Sequence, residues 1–365
     1  MSDQLSPLSM ADATEPHTSS RAAPAVAIIL VNYNGWQDTI ECLDTLLAMN
    51  YPAFHVFIVD NESQDDSCRK IAEWCAAPER RAGWPIFPGV EHRDGPAVEP
   101  LRLRSAERRD GTLDDPDPRC RVTLVRSGVN LGFAGGCNVG IRAAGLDRFD
   151  YFWMLNNDTV VDRTCLSALI ERATQDTEIG LVGSTMVYYD RPDTVQTLAG
   201  AELFPRTMIS RHIGEGTKLQ RNRQRDDDVE RRLTYIMGAS MLASNRFVRV
   251  VGLMSEDYFL YYEEIDWAMR ARGKFKLAYA PASLVYHKSG ASSAKILEEF
   301  SARLYYKNRV RFTSRFFPRN LFKVRYSLCT ELGRHLVHGR WVQALIVGQI
   351  LRRFNEVARS PRALE

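Results

Sequence analysis

The chain has no C-x-x-C pair, and its seven cysteines are an odd number. Neither a disulfide framework nor a zinc-ribbon spacing is visible, and a reduced, cytoplasmic protein is the expected setting. The start of the chain is polar and lacks the apolar core of a secretory signal. Long apolar runs are missing too. The longest near the end, WVQALIVGQIL at 341–351, is 11 residues between Arg340 and Arg352. That is well short of the roughly 20 that span a bilayer; such a run packs in a core or lies on a membrane surface. The net charge is only +3, so nothing global points to nucleic acid. The glycines form neither G-x-G-x-x-G nor G-x-x-x-x-G-K-[ST], so the dinucleotide and P-loop fingerprints both fail.

What is present is a globular composition, 45% hydrophobic and 25% charged over 365 residues, enough for one large domain or two ordinary ones. Residues 1–23 are rich in Ser, Ala, Asp and Pro without periodicity, and disorder is expected there. AVAIILVNYNG (25–35) reads as a continuous apolar strand, TIECLDTLLAMN (39–50) as a helix, FHVFIVDNES (54–63) as a second strand and 64–75 as a second helix. Strand, helix, strand and helix resume at 120–126, 132–145, 150–158 and 165–173. This pattern predicts an α/β fold with a mostly parallel sheet covered on both faces. The proline-rich stretch 78–119 interrupts it and reads as a surface insertion or long loop. From Lys295 onward the pattern is helical and basic, with 14 Lys/Arg against three acids between Ser301 and Glu365. A solvated face or an anionic partner surface explains that asymmetry equally well.

In an open parallel sheet, ligands sit beyond the carboxyl ends of the strands. Three strands here end on polar groups: Asn32–Asn34, Asp60–Asn61, and Asn156–Asp158. Such carboxylates can accept from a base or a ribose hydroxyl, or hold Mg²⁺ or Mn²⁺ against a phosphate. Turn chemistry alone accounts for one such end and poorly for three. The Gly-rich GVNLGFAGGCN (128–138) is weak as a phosphate loop, because tight strand-to-helix packing needs the same glycines. Glu263, Glu264 and Asp266 crowd three carboxylates into four residues, which raises at least one pKa as a general base near neutrality requires. A helix N-terminus attracts acids as well. A lone His such as His287 is more often structural, but the Gly/Ser-rich stretch directly after it points to a mobile segment that covers a ligand.

Taken together, VNYNG (31–35), VDNES (59–63), NLGFAGGCN (130–138), LNND (155–158), GASML (238–242), FLYYEEIDW (259–267) and YHKSGASS (286–293) resemble, in this order, a family-2 inverting glycosyltransferase, most of all its bacterial rhamnosyltransferase-like branch. The resemblance covers about residues 25–310. It implies the GT-A fold over 24–300, with a basic helical C-terminal extension at 301–365. It also implies a hydroxyl acceptor, a glycan or a polyprenyl-diphosphate-linked saccharide, and a nucleotide-diphosphate sugar donor, with dTDP-L-rhamnose as the first choice and UDP-sugars next. Carried over by position, Asn32, Tyr33, Asp60, Asn130, Gly132, Phe133, Asn138 and Asn157 would bind the donor. Asp158, His287 and Asn156 would hold Mg²⁺ or Mn²⁺, with Asn156 standing where the family's first acid would be. Glu264 would be the base, with Glu263 and Asp266 beside it, and Gly238, Ala239 and Trp267 would meet the acceptor.

The processive-synthase branch needs Q-x-x-R-W and membrane spans, and Gln349-x-x-Arg352-Arg353 is only a near miss. A non-catalytic binder of the same fold has no need of the acidic cluster. A nucleotidyltransferase needs a basic phosphate loop after the first strand, and VNYNGWQD has no basic residue. The interleaved Tyr305, Tyr306, Phe312, Phe316 and Phe317, with the basic residues around them, suggest an interfacial helix over 300–326 on an anionic membrane surface, and the resemblance implies that this surface is the inner face of the cytoplasmic membrane.

Overall fold

The computed structural model describes residues 23–76, 103–107, 121–219, 225–288 and 295–359. The disorder expected for the N-terminal tail and the mobile stretch expected after Lys288 lie outside these residues. The first half alternates as expected: β1 (Val26–Asn32), α1 (Trp36–Leu47), β2 (Phe54–Asp60), α2 (Ser67–Ala76), β3 (Leu103–Glu107), β4 (Val122–Arg126), α3 (Gly132–Ala144) and β5 (Tyr151–Asn156). Strands β3, β4, β2, β1 and β5 lie side by side in that order and are all parallel. Residues 103–107 therefore form an edge strand, inside what reads from sequence as a loop; most of the rest of 78–119 lies outside the described residues. No turn signal announces this strand, because an edge strand is held by one neighbour alone.

The second half departs from simple alternation. β6 (Thr159–Val161), α4 (Cys165–Thr174), β7 (Ile179–Tyr188) and β8 (Arg191–Leu198) follow. A three-stranded sheet comes next, built from β9 (Gly200–Phe204), β10 (Ile209–His212) and β11 (Tyr235–Ile236), with α5 (Asp226–Arg232) before β11. Then β12 (Ser240–Ser244) inserts antiparallel between β5 and β7. Beyond α6 (Asn245–Val251) and α7 (Glu263–Ala271), β13 (Lys276–His287) returns parallel to β7 and antiparallel to β6.

Strand alternation sorts the core onto two faces. Val26, Ile28 and Leu30 pack under α1, α2 and α4. Ala27 and Ile29 face α3, α6 and α7. Each such Val, Ile or Leu side chain, fully buried, stabilises the fold by about 1.5–3 kcal/mol.

The C-terminal helices α8 (Lys295–Phe316), α9 (Leu321–Val337), α10 (Trp341–Arg352) and α11 (Phe354–Arg359) share a third apolar cluster with α7. This corrects the α8 part of the interfacial helix expected over 300–326. Tyr306 and Phe312 of α8 are buried, and Tyr305, Phe316 and Phe317 pack against the same cluster, so their rings face protein. Two of the basic residues of α8, Arg309 and Arg311, are also buried. Arg309 is fully buried, donating to Thr207 O at 2.7 Å and Ser327 Oγ at 2.7 Å and pairing with Glu331 at 2.7 Å. Arg309→Met removes the buried partner of this pair and leaves Glu331, which is partly exposed, with the Ser327 hydroxyl as a partner. The expected cost is about 3 kcal/mol, the lower end for breaking a buried pair, read as a lower urea midpoint at unchanged slope.

Candidate active site

The parallel strands bring two of the polar ends into register: Asn32 lies opposite Asp60, and Val31 opposite Asn156. Asn32 is fully buried and spends its amide inside the protein. It donates to Asp60 Oδ1 at 2.9 Å and Ser63 Oγ at 3.0 Å, and accepts from Thr39 Oγ1 at 2.8 Å. Asp60 Oδ2 accepts from the Ser63 N–H at 3.1 Å. Asn32 thus orients Asp60, while Tyr33, at the exposed turn, is free to line a ligand. Asn157 turns back onto α1, donating to Thr39 Oγ1 at 2.9 Å and Gly35 O at 3.3 Å. Its amide fastens β5 to α1.

The Gly-rich turn is held by a residue that motif reasoning left without a role. Asn61 donates to Asn130 Oδ1 and to Gly132 O, both at 3.0 Å, and accepts from the Leu131 N–H at 3.0 Å. Asn130 Oδ1 also accepts from the Gly132 N–H at 3.0 Å. Gly132 has φ +68°, and a Cβ there would stand 2.0 Å from Phe259 O, so both backbone conformation and space demand glycine. The Phe133 N–H donates to Phe259 O at 2.9 Å, which ties this turn to the segment that carries the acids. Asn138, one helix turn on, is buried. It donates to Met254 O at 3.0 Å and Glu256 Oε1 at 2.9 Å and accepts from the Met254 N–H. Its amide is committed to the fold, and that corrects its expected place at the donor.

The acidic segment enters α7 through two consecutive left-handed residues, Tyr261 at φ 67° and Tyr262 at φ 77°. Non-glycine residues hold that conformation only when their surroundings fix it. Here Asn308 of α8 donates to Leu260 O at 2.8 Å and Tyr261 O at 3.0 Å, and the Tyr262 hydroxyl donates to Met208 O at 2.6 Å. The strained turn aims Glu264, which is only partly buried, past Gly238: a Cβ at Gly238 would lie 3.8 Å from Glu264 Oε1 and 3.3 Å from the Phe133 ring.

The remaining acids differ. Asp266 has no exposed surface and pairs with Arg270 at 2.7 Å and Arg315 at 2.9 Å, which takes it out of reach of a substrate. Trp267 is likewise fully buried, donating to Gly252 O at 2.7 Å and packing edge-on to Phe247. Both corrections have one cause: Asp266 and Trp267 lie on the inward side of α7, whose partly exposed residues are Glu264, Met269 and Arg270.

Glu263 is buried beside Glu264. Burial first, then the neighbouring carboxylate, push its pKa well above the ordinary 4.5. Burial pushes Glu264 up to about 7. Two carboxyls this close titrate as a pair, and the more deeply buried Glu263 keeps the proton. A carboxyl whose folded pKa exceeds its unfolded one contributes stability that is complete below the unfolded value and is lost as pH rises through the folded value. Glu263→Gln has no proton to lose. Its melting temperature should exceed that of the wild type at roughly pH 8, and the gap should narrow toward about pH 5; an equal gap at both would contradict a neutral Glu263.

At the other end of the crevice, His287 Nε2 stands 3.3 Å from Asp158 Oδ1, and His287 Nδ1 is 3.0 Å from Gln196 Oε1. With Nδ1–H donated to Gln196, Nε2 faces Asp158. Burial raises the Asp158 carboxyl pKa, but the hydrogen bond and charge of His287, with help from Asn156, outweigh it and hold the carboxyl below its usual range. Lys288 pins the end of β13 onto α1 through Asp38 and Glu41. The pair could supply two ligands to a divalent cation, and among the described residues no group of three His, Cys, Asp or Glu side chains is gathered to hold one. Neighbouring ligands on a metal with bonds of about 2.1 Å stand about 3 Å apart, close to the separation found. Asn156, on the same strand end, is engaged by Asp158 rather than set apart as a third ligand. The two ends of the crevice meet through one strand connection: the Asn156 N–H donates to Ala239 O at 3.0 Å, directly after Gly238. A cleft of about 530 Å³ opens at the far end of α7, lined by Arg231, Arg232 and Arg272, and includes none of these residues.

The family model described as glycosyl transferase family 2 matches residues 27–86 and 109–234, slightly more than half of the chain. The chain belongs to this family. It is 21% identical over 214 residues to the low-salt glycan biosynthesis hexosyltransferase Agl10 of Haloferax volcanii, a match that covers 58% of the chain and 66% of that relative. Among solved structures it resembles the mannosyltransferase PcManGT of Pyrobaculum calidifontis, in complex with GDP-Man and Mn²⁺. That likeness has a TM-score of 0.50 and 14% identity and covers 92% of this chain and 85% of the other. It also resembles GalNAc-T7 with UDP, GalNAc and Mn²⁺, at TM-score 0.53 and 13% identity, over 93% of this chain and 55% of the other. At these identities the structural likeness speaks for the GT-A fold, which the mixed sheet and its flanking helices share.

Proposed function

We propose that this family-2 chain is a metal-dependent inverting glycosyltransferase that moves a sugar from a nucleoside diphosphate to an acceptor hydroxyl. One observation carries the reading. A carboxylate raised toward neutrality, beside Gly238, and an ionised carboxylate paired with histidine, after β5, lie next to segments joined by the Asn156–Ala239 hydrogen bond. Glu264 takes the proton from the acceptor hydroxyl. The freed oxygen attacks the anomeric carbon opposite the diphosphate, the bond to the diphosphate oxygen breaks, and configuration inverts in one displacement. Asp158 and His287 would hold Mg²⁺ or Mn²⁺, which supplies charge neutralisation for the departing diphosphate. Asp60, set by Asn32 and Ser63, and the turn clamped by Asn61 would bind base and ribose. Gly238 and Ala239 would leave room for the acceptor.

The rhamnosyltransferase-like motifs favour dTDP-L-rhamnose as donor and a glycan or lipid-linked saccharide as acceptor. A melting-temperature panel of dTDP-L-rhamnose, GDP-mannose and UDP-N-acetylglucosamine, with and without Mn²⁺, tests donor and metal together. Ligand at about a hundredfold its Kd stabilises by about 2.7 kcal/mol. The expected result is a shift with one donor that requires Mn²⁺. No shift with any of the three would remove the donor assignment.

A further inference from the structure

The hairpin of α9 and α10 carries an outward apolar face. Phe322, Tyr326 and Val337 recur along α9 at spacings that share one side of a helix, and they are 69%, 72% and 83% exposed. Val324 and Leu328, on the opposite side, are buried. On α10 the same division holds. Trp341 and Leu345 are 65% and 67% exposed with Val342 beside them, while Ile346, Val347 and Ile350 lie inside. Most of the large exposed hydrophobic side chains of the described residues therefore gather on one hairpin, where a monomer's surface rarely concentrates them.

The charge around this face has one sign. Between Pro318 and Arg353 the chain holds seven Lys/Arg and one acid, Glu331. Glu331 is occupied by Arg309 from inside. Arg319, Lys323, Arg325, Arg334, Arg340 and Arg352 form no ion pair among the described residues, in contrast to the buried arginines of α8.

We infer that the α9–α10 hairpin docks on an anionic phospholipid surface. A self-complementary contact with a second copy would set this positive ring against itself. An acidic bilayer supplies the opposite charge to the ring and an apolar layer to the rings of Phe322, Tyr326 and Trp341. No helix of the described residues is long and apolar enough to cross a membrane, so the hairpin lies in the interface. The inference rests on exposure and charge alone and is independent of the donor reaction.

Flotation of the full chain with phosphatidylglycerol–phosphatidylcholine vesicles, against phosphatidylcholine alone, tests it. The wild type should float with the anionic vesicles at low salt and be released by high salt. At about 1 kcal/mol per basic residue near the surface, Arg334→Ala with Arg340→Ala should lower partitioning roughly thirtyfold. Trp341→Glu with Leu345→Glu should abolish flotation. All four positions are exposed, so the melting temperature should not move. A wild type that stays soluble with anionic vesicles, or variants that float as it does, would overturn the inference. A dimer in sedimentation that Trp341→Glu and Leu345→Glu dissociate, without vesicle binding, would assign the face to a second copy instead.

Discussion

Glu264→Gln is expected to lower transfer by about 10²–10⁴-fold, the span that a positioned general base contributes, while the melting-temperature shift with donor and Mn²⁺ is retained. The amide keeps the size of the side chain and its place beside Gly238 and Phe133, so the crevice keeps its shape; only the ability to accept a proton is gone. The pH profile carries the second half of the expectation. A base works when unprotonated, and burial raises Glu264 to about 7. Turnover should therefore fall as pH drops through about 7 and level above it, and the residual activity of Glu264→Gln should lack that limb. Asp266→Asn provides the contrast. Its carboxylate is enclosed by Arg270 and Arg315, so the change should cost stability and leave the pH limb in place. If Glu264→Gln turned over like the wild type while Asp266→Asn lost the limb, the base would be misassigned.

How far this site could be read from residues alone depends on what each residue needed. The strands β1, β2 and β5 are continuous apolar runs that end on Asn or Asp, and a parallel sheet is the simplest arrangement that buries both their faces. That places the crevice, and with it Asp60, Asp158 and the Gly-rich turn. The inserted β12 has no comparable signature, because its direction is set by the neighbours it joins. Polar roles were legible only as far as local sequence decides them. Asn32, Asn138 and Asn157 carry the amides a ligand site would use, yet each finds its partners in distant segments that no spacing reveals. Asn61 and Asn308 hold the turn and the acidic loop by the same kind of long-range bond. The C-terminal aromatics follow the same logic: Tyr306 and Phe312 look interfacial in a basic helix, and only the packing of α8 against α7 shows that their rings face inward.

Asp158→Ala is expected to remove turnover almost completely and, with it, the Mn²⁺-dependent part of donor binding. Two fastenings keep the local fold in that variant. The Lys288 N–H donates to the main-chain carbonyl of residue 158 at 3.0 Å, and the Thr159 hydroxyl donates to Asn156 O at 2.7 Å; neither uses the deleted carboxylate. His287 stays oriented by Gln196 at 3.0 Å, so one of the two proposed ligands remains. Metal stabilisation of charge on a leaving diphosphate is worth several kcal/mol, and each 1.36 kcal/mol is about tenfold in rate. The loss should be at least a hundredfold. Chelation with EDTA should bring the wild type down to the level of the variant, and Mn²⁺ should restore only the wild type. Gln196→Ala should lie between the two: a histidine that loses its orienting partner typically loses about 10–100-fold in metal affinity, and excess Mn²⁺ should recover most of the activity. Asp158→Ala with full turnover in EDTA would mean that the crevice works without a metal on this carboxylate, and that the negative charge of the diphosphate is met elsewhere.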